Sequence, residues 1–200
     1  MRASEGAQVS GYLTLQCHSV PTMGSRADAL QTIDRATQRL LRTVERFSDQ
    51  DIEQPSLLSG WSRRHVLTHV AQTADAMQNL LVWARTGVPK AAYASQEARD
   101  AAIDAGAGRS ASALLVDLSD SAERFRIEAG LLNEEAWQVS VRVLDGAAFP
   151  AAQLLDRRLV EVELHHTDLD AGYGAGQSPI EFAQMPLPEP MQSQREDRRR

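Results

Sequence analysis

The chain has 200 residues, of which 42% are apolar and 24% are charged, and these values indicate one globular domain with a buried core. Its 21 basic and 27 acidic side chains give a formal net charge of -6, which disfavours nucleic acid as a partner. Because the only cysteine is Cys17 and no stretch approaches the roughly 20 apolar residues of a membrane span, we expect a cytoplasmic protein with no internal disulfide and no membrane partner.

Residues 1–24 mix Ser, Gly, Gln and Pro without periodicity and lack the basic segment that begins a signal peptide. They are predicted to form a disordered leader. From Ser25 the pattern changes, because Ser25 and Asp28 have the spacing of a capping box and apolar residues then recur every three or four positions as far as Phe47. This pattern predicts a first amphipathic helix, which ends before Pro55.

Two further long helices are predicted in the middle of the chain. The second has Ser62 as its N-cap, carries an apolar stripe and ends at Gly87. The alanine-rich stretch 91–108 is predicted to hold a short helix between turns. The third long helix has apolar residues at heptad-like spacing over 114–132.

A change of apolar period marks the last part of the domain. From Trp137 the period is two, and Asp145-Gly146 supplies a turn, so a small β-hairpin is predicted. Pro150 suits the start of a fourth helix, which ends near Gly172. Four long helices, with a hairpin before the last, predict an all-α fold of the four-helix-bundle type.

The C-terminal residues have a different composition. Residues 174–200 contain four prolines and several glutamines, with no sustained apolar period. Such a composition predicts a disordered tail. The ordered helical domain is therefore predicted to span residues 25–173.

Histidines and carboxylates cluster on the second and fourth predicted helices. His65 and His69 lie on the second helix, and His165 lies on the fourth together with Glu161. Residues four apart on a helix project to the same side, so Glu161 and His165 can offer an oxygen and a nitrogen to one ion. A histidine from the facing helix would complete a site with two histidines, one carboxylate and open positions for water or substrate.

The spacing leaves alternatives open at this point. His69 lies nearer the apolar stripe than His65, which is predicted to be a surface residue, whereas His166 competes with His165 on the fourth helix. A Glu and a His four apart also form an ordinary hydrogen bond or ion pair.

Glu163 is predicted to lie on a solvated face. Asp168 suits either the orientation of a ligand imidazole or a polar contact at the helix end.

Several motifs then occur in a specific order: Gly-Trp-Ser at 60–62, His-Val-Ala at 69–71, Trp-Ala-Arg-Thr-Gly-Val at 83–88, and Glu-x-x-x-His-x-x-Asp-Leu at 161–169. Together they resemble the mycothiol-dependent maleylpyruvate isomerase family, within the DinB-like superfamily of helical bundles. The resemblance covers about residues 27–173. It implies a DinB-like four-helix bundle with the hairpin as an insertion.

Carried over residue by residue, the resemblance implies that His69, Glu161 and His165 are the ligands of one divalent metal, usually zinc. It also implies mycothiol as a low-molecular-weight thiol cofactor and a small-molecule substrate. A thiolate would add to a conjugated cis alkene, the resulting single bond would rotate, and elimination of the thiolate would leave the trans alkene. Because Cys17 lies in the leader, the sulfur would come from the cofactor.

The resemblance does not extend to the C-terminal residues. Isomerases of this family continue into a smaller α/β domain that supplies an arginine important for catalysis, and the predicted tail stands in its place here. No residue in this chain matches that arginine. Arg158, one turn before Glu161, could hold a substrate or cofactor carboxylate, although a surface arginine is the favoured interpretation. The sequence therefore also admits a non-catalytic metal-binding or interaction module, left by loss of the C-terminal domain. It does not predict an oligomeric state.

Overall fold

The computed structural model describes residues 25–106 and 108–199. The elements in chain order are α1 (Arg26–Val44), α2 (Asp49–Ile52), α3 (Arg63–Thr86), α4 (Gln96–Gly106), α5 (Ala111–Gly130), β1 (Ser140–Val141), β2 (Phe149–Pro150), α6 (Gln153–Asp168), α7 (Ile180–Ala183) and α8 (Met191–Asp197). Single 3-10 turns cover Ala136–Gln138 and Ala175–Gln177. The leader 1–24 lies outside the described residues.

The long helices α1, α3, α5 and α6 pack into a four-helix bundle, which confirms the predicted DinB-like fold with a small hairpin. Local signals define the helix ends. The backbone N–H of Asp28 donates to Ser25 Oγ at 3.2 Å, and the N–H of Ser25 donates back to the Asp28 carboxylate at 3.0 Å, so the capping box is present. Gly87 ends α3 with a φ of 73°, a left-handed conformation that favours glycine.

Helices α3 and α6 are neighbours in the bundle. Helix α3 packs against α5 and α6, and α6 also packs against α1. All residues of α6 from Leu154 to Asp168 are buried, including its charged ones. A helix covered on every side gives no polar stripe by which sequence periodicity could separate core from surface.

The hairpin is shorter than the alternating pattern suggests. Strands β1 and β2 are antiparallel and pair Val141 with Phe149. Trp137 begins the alternation in the sequence, yet it lies in a 3-10 turn and is buried. The Trp137 side chain is buried by packing. An apolar residue that fits the alternating pattern can therefore be buried without lying in a strand.

Residues 174–199 differ from the prediction of a disordered tail. They contain α7 and α8, and they bury Phe182, Met185 and Met191. These apolar residues are too widely spaced among prolines to give a helical period, but each one buries its side chain against the bundle. No helix within the described residues is long and apolar enough to cross a membrane.

Candidate metal centre

The structure brings together the three residues that the resemblance selects. His69 lies in the second turn of α3, and Glu161 and His165 lie one turn apart on the facing helix α6. One ligand atom from each residue lies within 4.8 Å of the other two. The three residues are only 0 to 2% exposed. Two helices that pack in the core thus direct two imidazoles and one carboxylate toward a common point.

The carboxylate of Glu161 lies between the two imidazoles. Its Oε2 is 3.1 Å from His69 Nε2 and 3.4 Å from His165 Nε2. The imidazole rings are 4.7 Å apart between centroids and nearly perpendicular, with an interplanar angle of 87°. Both Nε2 atoms therefore lie close to the same carboxylate oxygen.

Burial and mutual contact set the protonation of the cluster. Burial lowers the pKa of His69 to about 4, against the opposing effect of the nearby Glu161 carboxylate, so His69 is neutral at pH 7. Burial opposes ionisation of Glu161, but close contacts with both imidazoles outweigh it and hold the pKa of this carboxyl below its usual range. Burial also opposes the charge on His165, yet contacts with Asp168 and Glu161 raise its pKa to about 9. The cluster therefore holds one carboxylate beside one imidazolium.

A chain of polar contacts supports His165 from behind. Its Nδ1 is 2.9 Å from Asp168 Oδ2, at the end of α6. Asp168 is fully buried, and it accepts hydrogen bonds from Gln194 Nε2 at 2.8 Å and from Arg198 Nε at 2.8 Å. Asp168 thus orients the imidazole, one of the two roles left open by the sequence. Gln194 and Arg198 could not be found from the sequence, because they lie in the stretch predicted to be disordered.

Arg99 contacts His69 from α4. Its Nη2 lies 3.2 Å from His69 Nδ1, and a guanidinium can only donate. His69 Nδ1 is therefore the acceptor, and the proton of the neutral ring lies on Nε2, which is 3.1 Å from Glu161 Oε2. The Trp61 ring packs edge-on against the same imidazole, with 5.5 Å between the two ring centroids. No sequence signal distinguished Arg99 from other arginines.

The rival histidines have other roles. His65 is half-buried, and its Nδ1 accepts a hydrogen bond from the backbone N–H of Ser62 at 3.2 Å, so it caps α3. Nε2 of His166 lies 2.8 Å from the hydroxyl oxygen of Thr43. The His166 ring also stacks on the Tyr173 ring, with 3.7 Å between their centroids. Neither residue belongs to the cluster of His69, Glu161 and His165.

Two charged residues of α6 are buried, contrary to prediction. Glu163 is 0% exposed and accepts hydrogen bonds from Arg39 at 2.7 Å and from the Tyr173 hydroxyl at 2.6 Å. Arg158 is 1% exposed and donates from Nη1 to the carbonyl oxygen of Val70 at 2.9 Å. The predictions of a solvated Glu163 and a surface Arg158 are wrong because other elements cover α6 on all sides.

Residues 33–170 match the family described as the mycothiol maleylpyruvate isomerase N-terminal domain. The fold is similar, with a TM-score of 0.76 in both cases, to crystal structures of the mycothiol-dependent maleylpyruvate isomerase, at 31% identity, and of a histidine-to-alanine variant of it, at 30% identity. Each match covers 80% of this chain but 66% of the other, just under two thirds. No curated protein sequence is a significant match.

Proposed function

Because this chain belongs to the mycothiol maleylpyruvate isomerase N-terminal domain family, we propose that it is a zinc-dependent, mycothiol-using enzyme of the maleylpyruvate isomerase type or a related thiol transferase. The observation that carries the proposal is the convergence of His69, Glu161 and His165 within 4.8 Å in the core. We place the enzyme in the cytoplasm, which suits a chain with a single cysteine.

The three residues offer donor atoms of the kinds that zinc binds, and two of their separations match its geometry. Zinc takes imidazole nitrogen and carboxylate oxygen, and catalytic sites use three protein ligands with one open position. Two ligand atoms bound at about 2.1 Å in a tetrahedral arrangement lie roughly 3.4 Å apart. The separations of 3.1 and 3.4 Å between Glu161 Oε2 and the two Nε2 atoms are close to that value. The same donors also accept other divalent transition metals.

Each residue has a defined part in the proposed site. His69, Glu161 and His165 hold the ion, and Asp168 accepts the hydrogen bond that fixes the orientation of His165. When bound, the metal would polarise a substrate carbonyl or lower the pKa of a coordinated thiol. The part of the chain that the structure describes, residues 25–106 and 108–199, contains no cysteine. In the proposed reaction the nucleophilic sulfur therefore comes from mycothiol.

One observation favours a second candidate function. The cluster is 0 to 2% exposed, so an ion here would join α3 to α6 inside the core, as in a structural metal site. In a non-catalytic metal-binding module of this kind, metal contributes to folding, and its removal would unfold the domain. The enzyme hypothesis requires thiol-dependent turnover in addition to bound metal.

The test measures zinc content and turnover of maleylpyruvate with mycothiol in the purified full chain. We expect about one zinc per chain and mycothiol-dependent turnover, and His69→Ala should lose both. His65→Ala is the matched control, because this histidine lies four residues earlier on α3 and is not a ligand. Zinc without thiol-dependent turnover would favour the non-catalytic module, and absence of any stoichiometric divalent metal in the wild type would refute both functions.

A further inference from the structure

We infer that Gln194 and Arg198 are positioning residues for the proposed metal site, acting through Asp168 on the imidazole of His165. This inference rests on the proposed function, since it assigns a role toward the same ion. It adds two residues from beyond the stretch 33–170 that matches the family.

The contacts form one continuous path from α8 to the ligand. Gln194 Nε2 and His165 Nδ1 share the same oxygen, Oδ2 of Asp168, at 2.8 and 2.9 Å. Arg198 Nε donates to the other oxygen, Oδ1, at 2.8 Å. Both oxygens of Asp168 are thereby fixed, and the plane of the carboxylate is set by residues from outside α6.

The same segment is itself anchored to the bundle. Arg198 Nη2 donates to the carbonyl oxygen of Leu57 at 3.2 Å, and the Leu57 backbone N–H donates to the carbonyl oxygen of Asp168 at 2.9 Å. Gln194 is 8% exposed, and the side chain of Arg198 is 16% exposed. These residues shield Asp168 from water. Water would otherwise compete with His165 Nδ1–H for hydrogen bonding to Asp168 Oδ2.

The physical consequence concerns the tautomer of His165. A histidine that binds metal through Nε2 needs its proton on Nδ1, and a carboxylate acceptor at Nδ1 provides this. A carboxylate free to rotate, or solvated by water, holds the ring less firmly. Gln194 and Arg198 therefore keep His165 Nε2 directed at the point that Glu161 and His69 also face.

The test compares two double variants of the full chain. Gln194→Met with Arg198→Met keeps side-chain length and packing but removes both donors to Asp168. Gln192→Met with Arg199→Met is the matched control, because the same residue types change in the same segment but contact other groups, among them the Ala183 carbonyl at 2.8 Å from Arg199. Zinc affinity is measured by competition with a chromogenic chelator. The His165 Nδ1–H resonance is followed by NMR in metal-free protein and identified by its loss in His165→Gln.

We expect the first double variant to bind zinc about tenfold more weakly than the control and to lose or broaden the Nδ1–H resonance. Arg198→Lys should restore part of the affinity lost in Arg198→Met. Equal zinc affinity and an unchanged resonance in both double variants would overturn the inference. If the first double variant does not fold, Arg198→Met alone is judged by the same two results.

The proposed function and this inference can fail separately. A wild-type chain that binds no zinc would refute the proposed function. The resonance in metal-free protein would still decide whether Gln194 and Arg198 position His165: its persistence in the first double variant would overturn the inference, and its loss there but not in the control would support it.

Discussion

At the scale of single residues, the contact between Arg99 and His69 determines which nitrogen of His69 is available to a metal. With Nδ1 accepting from Arg99, the neutral ring carries its proton on Nε2, the atom that faces Glu161. Metal binding at Nε2 requires the proton to be on Nδ1. The hydrogen bond from Arg99 to His69 Nδ1 must therefore break when an ion binds to Nε2.

This requirement predicts that Arg99→Met strengthens metal binding. The substitution removes both the competing donor and a nearby positive charge, and we expect zinc affinity to rise by about tenfold, or about 1.4 kcal/mol. Chelator competition measures the change. Arg85→Met, which removes an arginine at the far end of α3, is the control. Unchanged or weaker binding in Arg99→Met would show that the contact does not oppose the metal.

The protonation of His165 predicts that metal binding depends on pH. Its pKa, near 9, means that His165 carries a proton on Nε2 at pH 7, and an ion must displace that proton. We expect release of about one proton per zinc at pH 7, and affinity that rises about tenfold per pH unit until it levels near pH 9. Calorimetry in two buffers of different ionisation enthalpy measures the proton release. Binding that does not change between pH 7 and 9 would contradict this assignment.

At the scale of elements, the predictions from sequence were best where the signal is local. The capping box at Ser25 and the glycine at the end of α3 depend on neighbouring residues, so both helix ends could be predicted. Glu163 and Arg158 depend on what covers α6, which the sequence of α6 does not contain. The contacts of Gln194 and Arg198 with Asp168 span 26 and 30 residues, and no periodic pattern marks them.

The buried position of Glu163 predicts that it stabilises the packing of α1 against α6. Glu163→Ala leaves Arg39 and the Tyr173 hydroxyl without their acceptor, and we expect a loss of about 2 to 4 kcal/mol in the free energy of unfolding. Urea denaturation measures it. The exposed Glu123, which pairs with Arg126 on α5, is the control, and Glu123→Ala should cost far less than Glu163→Ala because solvent screens the exposed pair. Equal losses would show that burial does not strengthen the Glu163 contacts.

At the scale of the whole molecule, Asp156 predicts how global stability changes with pH. Burial raises the pKa of Asp156 to about 6, from an ordinary value of 3.8. Because the folded pKa is the higher one, the stability linked to this group is fully present below about pH 3.8 and is lost as pH rises through about 6. The unfolding free energy of the wild type should therefore fall by about 1 to 3 kcal/mol relative to Asp156→Asn over this range.

Urea denaturation of both proteins at several pH values checks this prediction. Asp156→Asn should be the more stable of the two at pH 7 and should lose that advantage near pH 4. Parallel pH profiles for the two proteins would contradict the raised pKa.

The complete burial of α6 has a consequence for motion. A helix that contacts other elements on every side cannot separate from the domain by itself, so its amide hydrogens should exchange with deuterium only when the entire bundle opens. Two of the three candidate ligands lie on this helix. Their geometry should therefore persist up to the midpoint of thermal denaturation and disappear in the same cooperative transition.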